Sequence, residues 1–347
     1  MSKRRFLLVL LVLGGCQNFT LPAPPVDPGP PAKRIGVPPP GAYYHGVYPG
    51  QKNLEEYQIT PAALYAYEQV VGRKVAWVYF SNDWFASRAF PLATAQWIRS
   101  RNAVPFIRLM LRSSSETYVA EPLYSLEAIL RGDFDSDLKA WGQAAKAFGT
   151  PVLVEWGTEV NGQWFSWNGR WNGGPTLGPQ RFRDTYRHIV QTIKSVGADN
   201  LTWVWHVDAY DDPEAEWNRL ENYYPGHDVV DWIGVSVYGA QEPAENNTQT
   251  FADGMNSVMP RLARLAPDKP VVVAEFAVTA GNPRVNAVQW AEAALSGILS
   301  NQWPQLRGFA WWNEAFDTTE MRVQVIPGLK EVFRQKLASP QVLDRPL

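Results

Sequence analysis

Residues Pro151–Trp171, PVLVEWGTEVNGQWFSWNGRW, decide how this chain reads. Val152 to Trp156 is an apolar run of strand length, as expected of a strand covered on both faces. The run turns polar at Thr158-Glu159-Val160-Asn161-Gly162 and continues into a segment holding Trp164, Trp167 and Trp171. A carboxylate therefore stands just past the end of a buried strand, beside an Asn and a row of indoles. Aromatic surroundings favour the protonated form of a carboxyl group, and indole faces stack on the apolar faces of sugar rings. The plainer alternative is a strand end with a solvated Glu and core tryptophans.

Outward from this stretch, short apolar runs alternate with helical ones. Strand candidates are His45–Tyr48, Val75–Phe80, Val104–Met110, the Pro151 strand, Leu201–Val207, Trp232–Tyr238, Pro270–Phe276 and Gly308–Trp312. Helical periodicity marks Pro61–Val71, Leu92–Ser100, Asp135–Phe148, Pro179–Val196 and Gly328–Leu337, with Gly197 as a stop signal. Eight strands, each followed by a helix, predict an α/β fold of the (β/α)8 TIM-barrel type in a single catalytic domain. A doubly wound open sheet competes, but no Gly-rich phosphate loop follows an early strand. No period of 20–50 residues recurs, which argues against a solenoid.

The length of 347 residues and 46% hydrophobic content are ample for such a core. The net charge of −2 gives no basic excess for a nucleic acid, and 16 tryptophans favour a carbohydrate over a phosphorylated ligand. Cys16 is the only cysteine, so the folded part has no disulfide framework or thiol nucleophile. Residues 1–16 read as a signal peptide, with basic Lys3, Arg4 and Arg5 and an apolar run from Phe6 to Leu13. Leu13-Gly14-Gly15-Cys16 resembles a bacterial lipobox, which implies lipid attachment at Cys16 and a place in the cell envelope. Gln17 after the cysteine would favour the outer membrane of a Gram-negative cell. Residues 17–41 are rich in proline and read as an extended tether. Residues 42–340 are the expected barrel domain, taken as a monomer without a cofactor.

Barrel sites lie at the C-terminal ends of the strands. Glu159 follows strand four, Tyr238 ends strand six, Glu275 ends strand seven, and Trp311 and Trp312 close strand eight. Two carboxylates facing each other across the mouth at about 5–5.5 Å are what a retaining glycosidase needs. Tyr238 lies between them in strand order and is placed to keep one ionised. His206 and Asp208 could suggest a metal, but no second histidine sits at ligand spacing nearby, so none is expected.

Glu159-Val160-Asn161-Gly162 with Trp164 resembles the His-Glu-Met-Asn-Gly-x-Trp signature of glycoside hydrolase family 26, a retaining (β/α)8 family of clan A. Val71–Lys74, Trp203–Trp205, Tyr224–Gly234, Ala274-Glu275 and Trp311–Glu314 are similar as well. The resemblance implies that Glu159 is the general acid/base, Glu275 the nucleophile and Tyr238 its hydrogen-bond partner. Trp164 and Trp311 would wall the subsite of the cleaved ring, with Asn161, Trp167 and His206 as further sugar contacts. Members mostly hydrolyse β-1,4-mannans; others cut mixed-linkage β-glucan or β-1,3-xylan. An endo-acting enzyme on a polysaccharide follows, with a bacterial exopolysaccharide or a non-catalytic glycan-binding lipoprotein as alternatives.

Three departures fall in the expected pocket. Thr158 stands where the family usually has His, Glu155 where it has Arg, and His206-Val207-Asp208 where strand five commonly ends Ser-Pro-Asn. Alternation places Glu155 on the same face as Glu159, toward the barrel interior. A lone buried carboxylate is costly to ionise. Arg108 on strand three is the expected partner, in a structural ion pair at hydrogen-bond distance.

Overall fold

A computed structural model describes residues 34–347. Cys16, the segment 1–16 and residues 17–33 of the expected tether lie outside the described residues. In chain order the elements are β1 (Tyr43–Tyr48), α1 (Pro61–Val71), β2 (Trp77–Asp83), α2 (Leu92–Ser100), β3 (Val104–Met110), α3 (Leu126–Leu130), α4 (Asp135–Phe148), β4 (Val152–Trp156) and α5 (Gly174–Lys194). They continue with β5 (Leu201–Asp208), β6 (Trp232–Tyr238), α6 (Phe251–Leu265), β7 (Val271–Ala277), α7 (Ala287–Leu299) and β8 (Leu306–Trp312). A hairpin of β9 (Ala315–Phe316) and β10 (Thr319–Glu320), then α8 (Leu329–Leu337) and β11 (Val342–Leu343), complete the order.

β1 to β8 pair in parallel, each with its successor, and β8 pairs back to β1, so the expected (β/α)8 barrel is closed. Local chemistry sets the helix ends. Thr60 caps α1 by accepting from Ala63 N at 3.2 Å, and Gly72 ends it at φ 69°. Thr250 and Asp253 form a reciprocal capping box on α6. The strands are buried almost throughout because both faces are covered, one by helices and one by the barrel interior.

The floor of the barrel is packed with large aromatic residues, Trp77 and the stacked pair Tyr44–Trp232 among them. Trp77 lies buried among Tyr44, Phe106 and two glycines. A Cβ on Gly46 would lie 1.9 Å from the Trp77 ring, and one on Gly308 would lie 2.3 Å from it. The missing side chains on β1 and β8 are therefore what admits the indole.

Two expectations need correction. No α-helix separates β5 from β6 among the described residues; two 3₁₀ turns, Glu216–Asn218 and Leu220–Tyr223, stand there. The Asn218 side chain donates to Asn161 O at 2.7 Å and Pro213 O at 3.0 Å, so this segment braces the loop after β4. The folded part also exceeds 42–340 at both ends. Ile35 is buried, Arg34 pairs with Asp231 at 2.6 Å, and Tyr44 OH donates to Gly36 O at 3.0 Å. β11 pairs with Tyr43 and Tyr44, and Leu347 N donates to the Tyr44 hydroxyl at 2.9 Å.

Candidate active site

Residues opposite one another in neighbouring strands point to the same face. Through β2 to β5 the register Ser81–Arg108–Glu155–Val204 runs around the inside of the barrel, and His206 lies one inward step above Val204. His206 faces Gly234, and Gly234 faces Val272 on β7. Strict alternation from Val272 would next turn Ala274 inward. The register with β6 instead shifts so that Ser236 faces Glu275, and the pairing with β8 is irregular over the same residues. This β-bulge aims Glu275, not Ala274, at the barrel interior.

Glu275 is 4% exposed and ringed by donors. Tyr238 OH donates to Oε2 at 2.9 Å, Tyr79 OH lies 3.1 Å from Oε1, and Arg108 Nε lies 3.6 Å from Oε1. Burial pushes the Glu275 carboxyl up to about 7; Arg108 opposes the rise and the Glu159 charge adds to it. Burial, reinforced by neighbouring carboxylates, also holds the Tyr79 and Tyr238 phenols well above their ordinary range, so both keep the proton they donate.

Glu159 reaches the same cleft from the loop after β4. Its backbone is left-handed at φ 48°, a conformation that strains a residue with a side chain and that the surroundings must impose. Asn161 imposes it. Its amide donates to Asp208 O, Tyr210 O and Asp211 Oδ1 at 2.9 to 3.1 Å, and its carbonyl accepts from Asp208 N at 2.8 Å. Trp164 Nε1 donates to Glu159 Oε2 at 2.7 Å, which leaves Oε1 for a ligand. The cleft holds about 450 Å³; Glu159, Glu275, Tyr238, Trp164, Trp312 and Tyr118 are among the residues that line it.

Other expected sugar contacts lie elsewhere. Trp311 is fully buried and points outward from the barrel, packed on Phe276 and Phe333, with Nε1 donating to Met321 O at 2.8 Å. Its neighbour Trp312 forms the cleft wall, held by Glu314 Oε2 at 2.8 Å and by Tyr48, whose ring centroid is 4.0 Å away. Trp167 is buried behind the cleft and donates to Thr158 O at 2.7 Å. Asn161 is likewise a loop clamp, fully buried.

His206 lies beneath the cleft. Its Nδ1 is 2.8 Å from Thr158 Oγ1 and 3.0 Å from Glu155 Oε2, and its Nε2 is 2.9 Å from Ser236 Oγ. Burial opposes its charge, but Glu155, Glu275 and Glu159 together hold the imidazolium above its usual range. The direct Glu155–Arg108 hydrogen bond does not form. Arg108 Nε is 3.7 Å from Glu155 Oε1, while Nη1 donates to Glu56 Oε2 at 2.5 Å. Glu155 is already served by Tyr79 OH at 2.6 Å and by His206, which displaces the guanidinium.

Glu155, His206 and Glu275 bring donor atoms within 4.8 Å of one another, a grouping that could in principle hold a cation. Arg108 and Tyr79 already occupy the space between the two carboxylates, and a second cation there would meet the guanidinium charge. Sequence reasoning missed Tyr79, Glu56 and Tyr118. Only inward alternation on β2 could have signalled Tyr79, and loop residues such as Glu56 and Tyr118 carry no such period.

The family model of glycosyl hydrolase family 26 matches residues 126–338, more than half of the chain. The β-1,3-xylanase TXYA of a Vibrio species is 26% identical over 246 residues, covering 63% of this chain and 50% of that protein. Endoglucanase H of Acetivibrio thermocellus is 23% identical over 290 residues, 81% of this chain and 29% of that protein. The chain thus spans about half, or less, of the length of these curated relatives. Among solved structures, an endo-β-1,4-mannanase of Cellulomonas fimi superposes with a TM-score of 0.64 at 18% identity, covering 88% of this chain and 72% of that one. The fold, closed barrel included, is theirs, and the family match spans both β4 and β7 with their carboxylates; this chain belongs to glycosyl hydrolase family 26.

Proposed function

We propose that the cleft hydrolyses internal β-linkages of a polysaccharide with net retention, a β-1,4-mannan first among them. One observation carries the reading: Glu275 and Glu159 line one cleft, the first ringed by three donors and the second fixed by Trp164 with one oxygen free. In the first step a Glu275 oxygen attacks the anomeric carbon while Glu159 gives its proton to the departing glycosidic oxygen. The C–O bond to the leaving chain breaks as the glycosyl ester forms. In the second step Glu159 takes a proton from water, the water oxygen attacks the same carbon, and the Glu275 carboxylate leaves. Tyr238 steadies the carboxylate at both ends of this cycle.

Products of β-1,4-mannan, β-1,3-xylan and mixed-linkage β-glucan, followed by proton NMR, test it. The newly formed reducing end is expected as the β-anomer before mutarotation; an α-anomer first would overturn the assignment. Glu275→Ala should abolish turnover of every substrate. Glu159→Ala should lose about 10²–10⁴-fold on polysaccharide, yet spare the first step on an aryl glycoside with a good leaving group. The basic n-region and the lipobox-like run ending at Cys16 support a lipid-anchored enzyme of the cell envelope. Cys16→Ser should then release it from the membrane fraction.

A further inference from the structure

Two donors stand between the same two acceptors. Tyr79 OH lies 2.6 Å from Glu155 Oε1 and 3.1 Å from Glu275 Oε1. Arg108 Nε lies 3.7 Å and 3.6 Å from those same oxygens, and this buried N–H has no hydrogen-bond partner. A phenol carries one proton, so it cannot donate to both carboxylates at once. The guanidinium is held from its other end by Glu56, which leaves Nε midway. Glu155 is itself fully buried and secured through its second oxygen by His206, so it is a fixed alternative acceptor.

Resting on the retaining reading above, we propose that Tyr79 and Arg108 form a shared donor pair that turns toward Glu275 while it is a carboxylate and toward Glu155 while it is an ester. A carboxylate accepts a hydrogen bond about twice as strongly as a neutral acyl oxygen. When Glu275 bonds to the anomeric carbon its charge is lost and Glu155 becomes the stronger acceptor. Tyr79 and Arg108 keep their own protons throughout; the leaving oxygen is protonated by Glu159 alone. When water cleaves the ester, the charge returns to Glu275 and the donors turn back. Glu155 is thereby a positioning residue, acting on the nucleophile through donors it competes for.

The charged and titratable groups facing Glu275 are Tyr79 on β2, Arg108 on β3, Glu155 on β4 with Glu159 beyond it, His206 and Asp208 on β5, and Tyr238 on β6. Removing a donor from Glu275 and removing its competitor should therefore move its titration in opposite directions. Purified protein carrying carboxyl-¹³C glutamate is titrated by NMR, with the Glu275 signal identified by its loss in Glu275→Gln. The pH profile of kcat/KM on the best glycan substrate is recorded in parallel. Tyr79→Phe, which keeps the ring packed on Phe106 at 4.5 Å, is expected to raise the Glu275 midpoint by about one pH unit. Glu155→Gln is expected to lower it by a similar amount, and the acidic limb of the rate profile should follow each shift. A role in stability alone would not split the two directions. Midpoints that stay put, or move together, in an active enzyme would overturn the shared pair. A wild type without activity on any β-glycan would instead overturn the retaining reading, while the NMR midpoints still decide the donor sharing.

Discussion

Glu275 is placed where its own charge is opposed, and this makes pH a direct probe of it. With the carboxyl raised to about 7, the proposed nucleophilic role requires kcat/KM to climb as pH rises through 7 and the carboxyl ionises. Stability should run the other way. The folded state binds the Glu275 proton more tightly than the unfolded chain does, so this residue's contribution is unopposed below about 4.5 and is progressively lost up to about 7. The full effect is about 3 kcal/mol. Glu275→Gln is expected to melt above the wild type at pH 8 and to lose that advantage at pH 4.5, as calorimetry at both pH values would show; an equal offset at both would exclude the linkage. That Glu159, Glu275 and Tyr238 share one barrel mouth was legible in the sequence because each stands near or just past the C-terminal end of an apolar run. Tyr79 was not, since a tyrosine inside a strand reads as core until its neighbours are known.

A single extra residue in β7 decides which side chain reaches the cleft. Ala274 is the residue that the register with β6 passes over. Deleting it should remove the bulge and restore plain alternation, with Glu275 as the inward residue after Val273. The barrel is expected to survive by circular dichroism with turnover still detectable; a folded variant without turnover would show that the bulge, and not the inward direction alone, positions Glu275. Hydrophobic pattern reveals such a bulge poorly, because Val271 to Ala277 is buried on both faces and every register looks equally apolar. The same uniformity misassigned the wall on β8, where Trp311 and Trp312 read alike and only the pairing of Trp312 with Tyr48 turns the second one inward. The segment after β5 was misjudged for another reason: its polar side chains bond the loop that holds Glu159, a tertiary task that local periodicity does not express.

At the scale of the whole molecule, eight apolar runs in alternation with helices were enough to specify a closed barrel, since few other architectures bury strands on both faces. How the barrel is filled was not legible, because Gly46 and Gly308 lie far apart in sequence and meet only at Trp77. Gly46→Ala should cost about 1–3 kcal/mol through overpacking, and pairing it with Trp77→Phe should recover part of the loss in a melting experiment. Both described ends of the chain also gather on this floor: Arg34 beside Asp231 at the entry to β6, and Leu347 on Tyr44 at the start of β1. The cleft opens at the opposite ends of the strands. An attachment made at either described end would thus sit on the closed face, away from the cleft. A bead coupled at Arg34 should therefore cost little activity on insoluble glycan, whereas one coupled at the rim beside Tyr118 should blind the cleft.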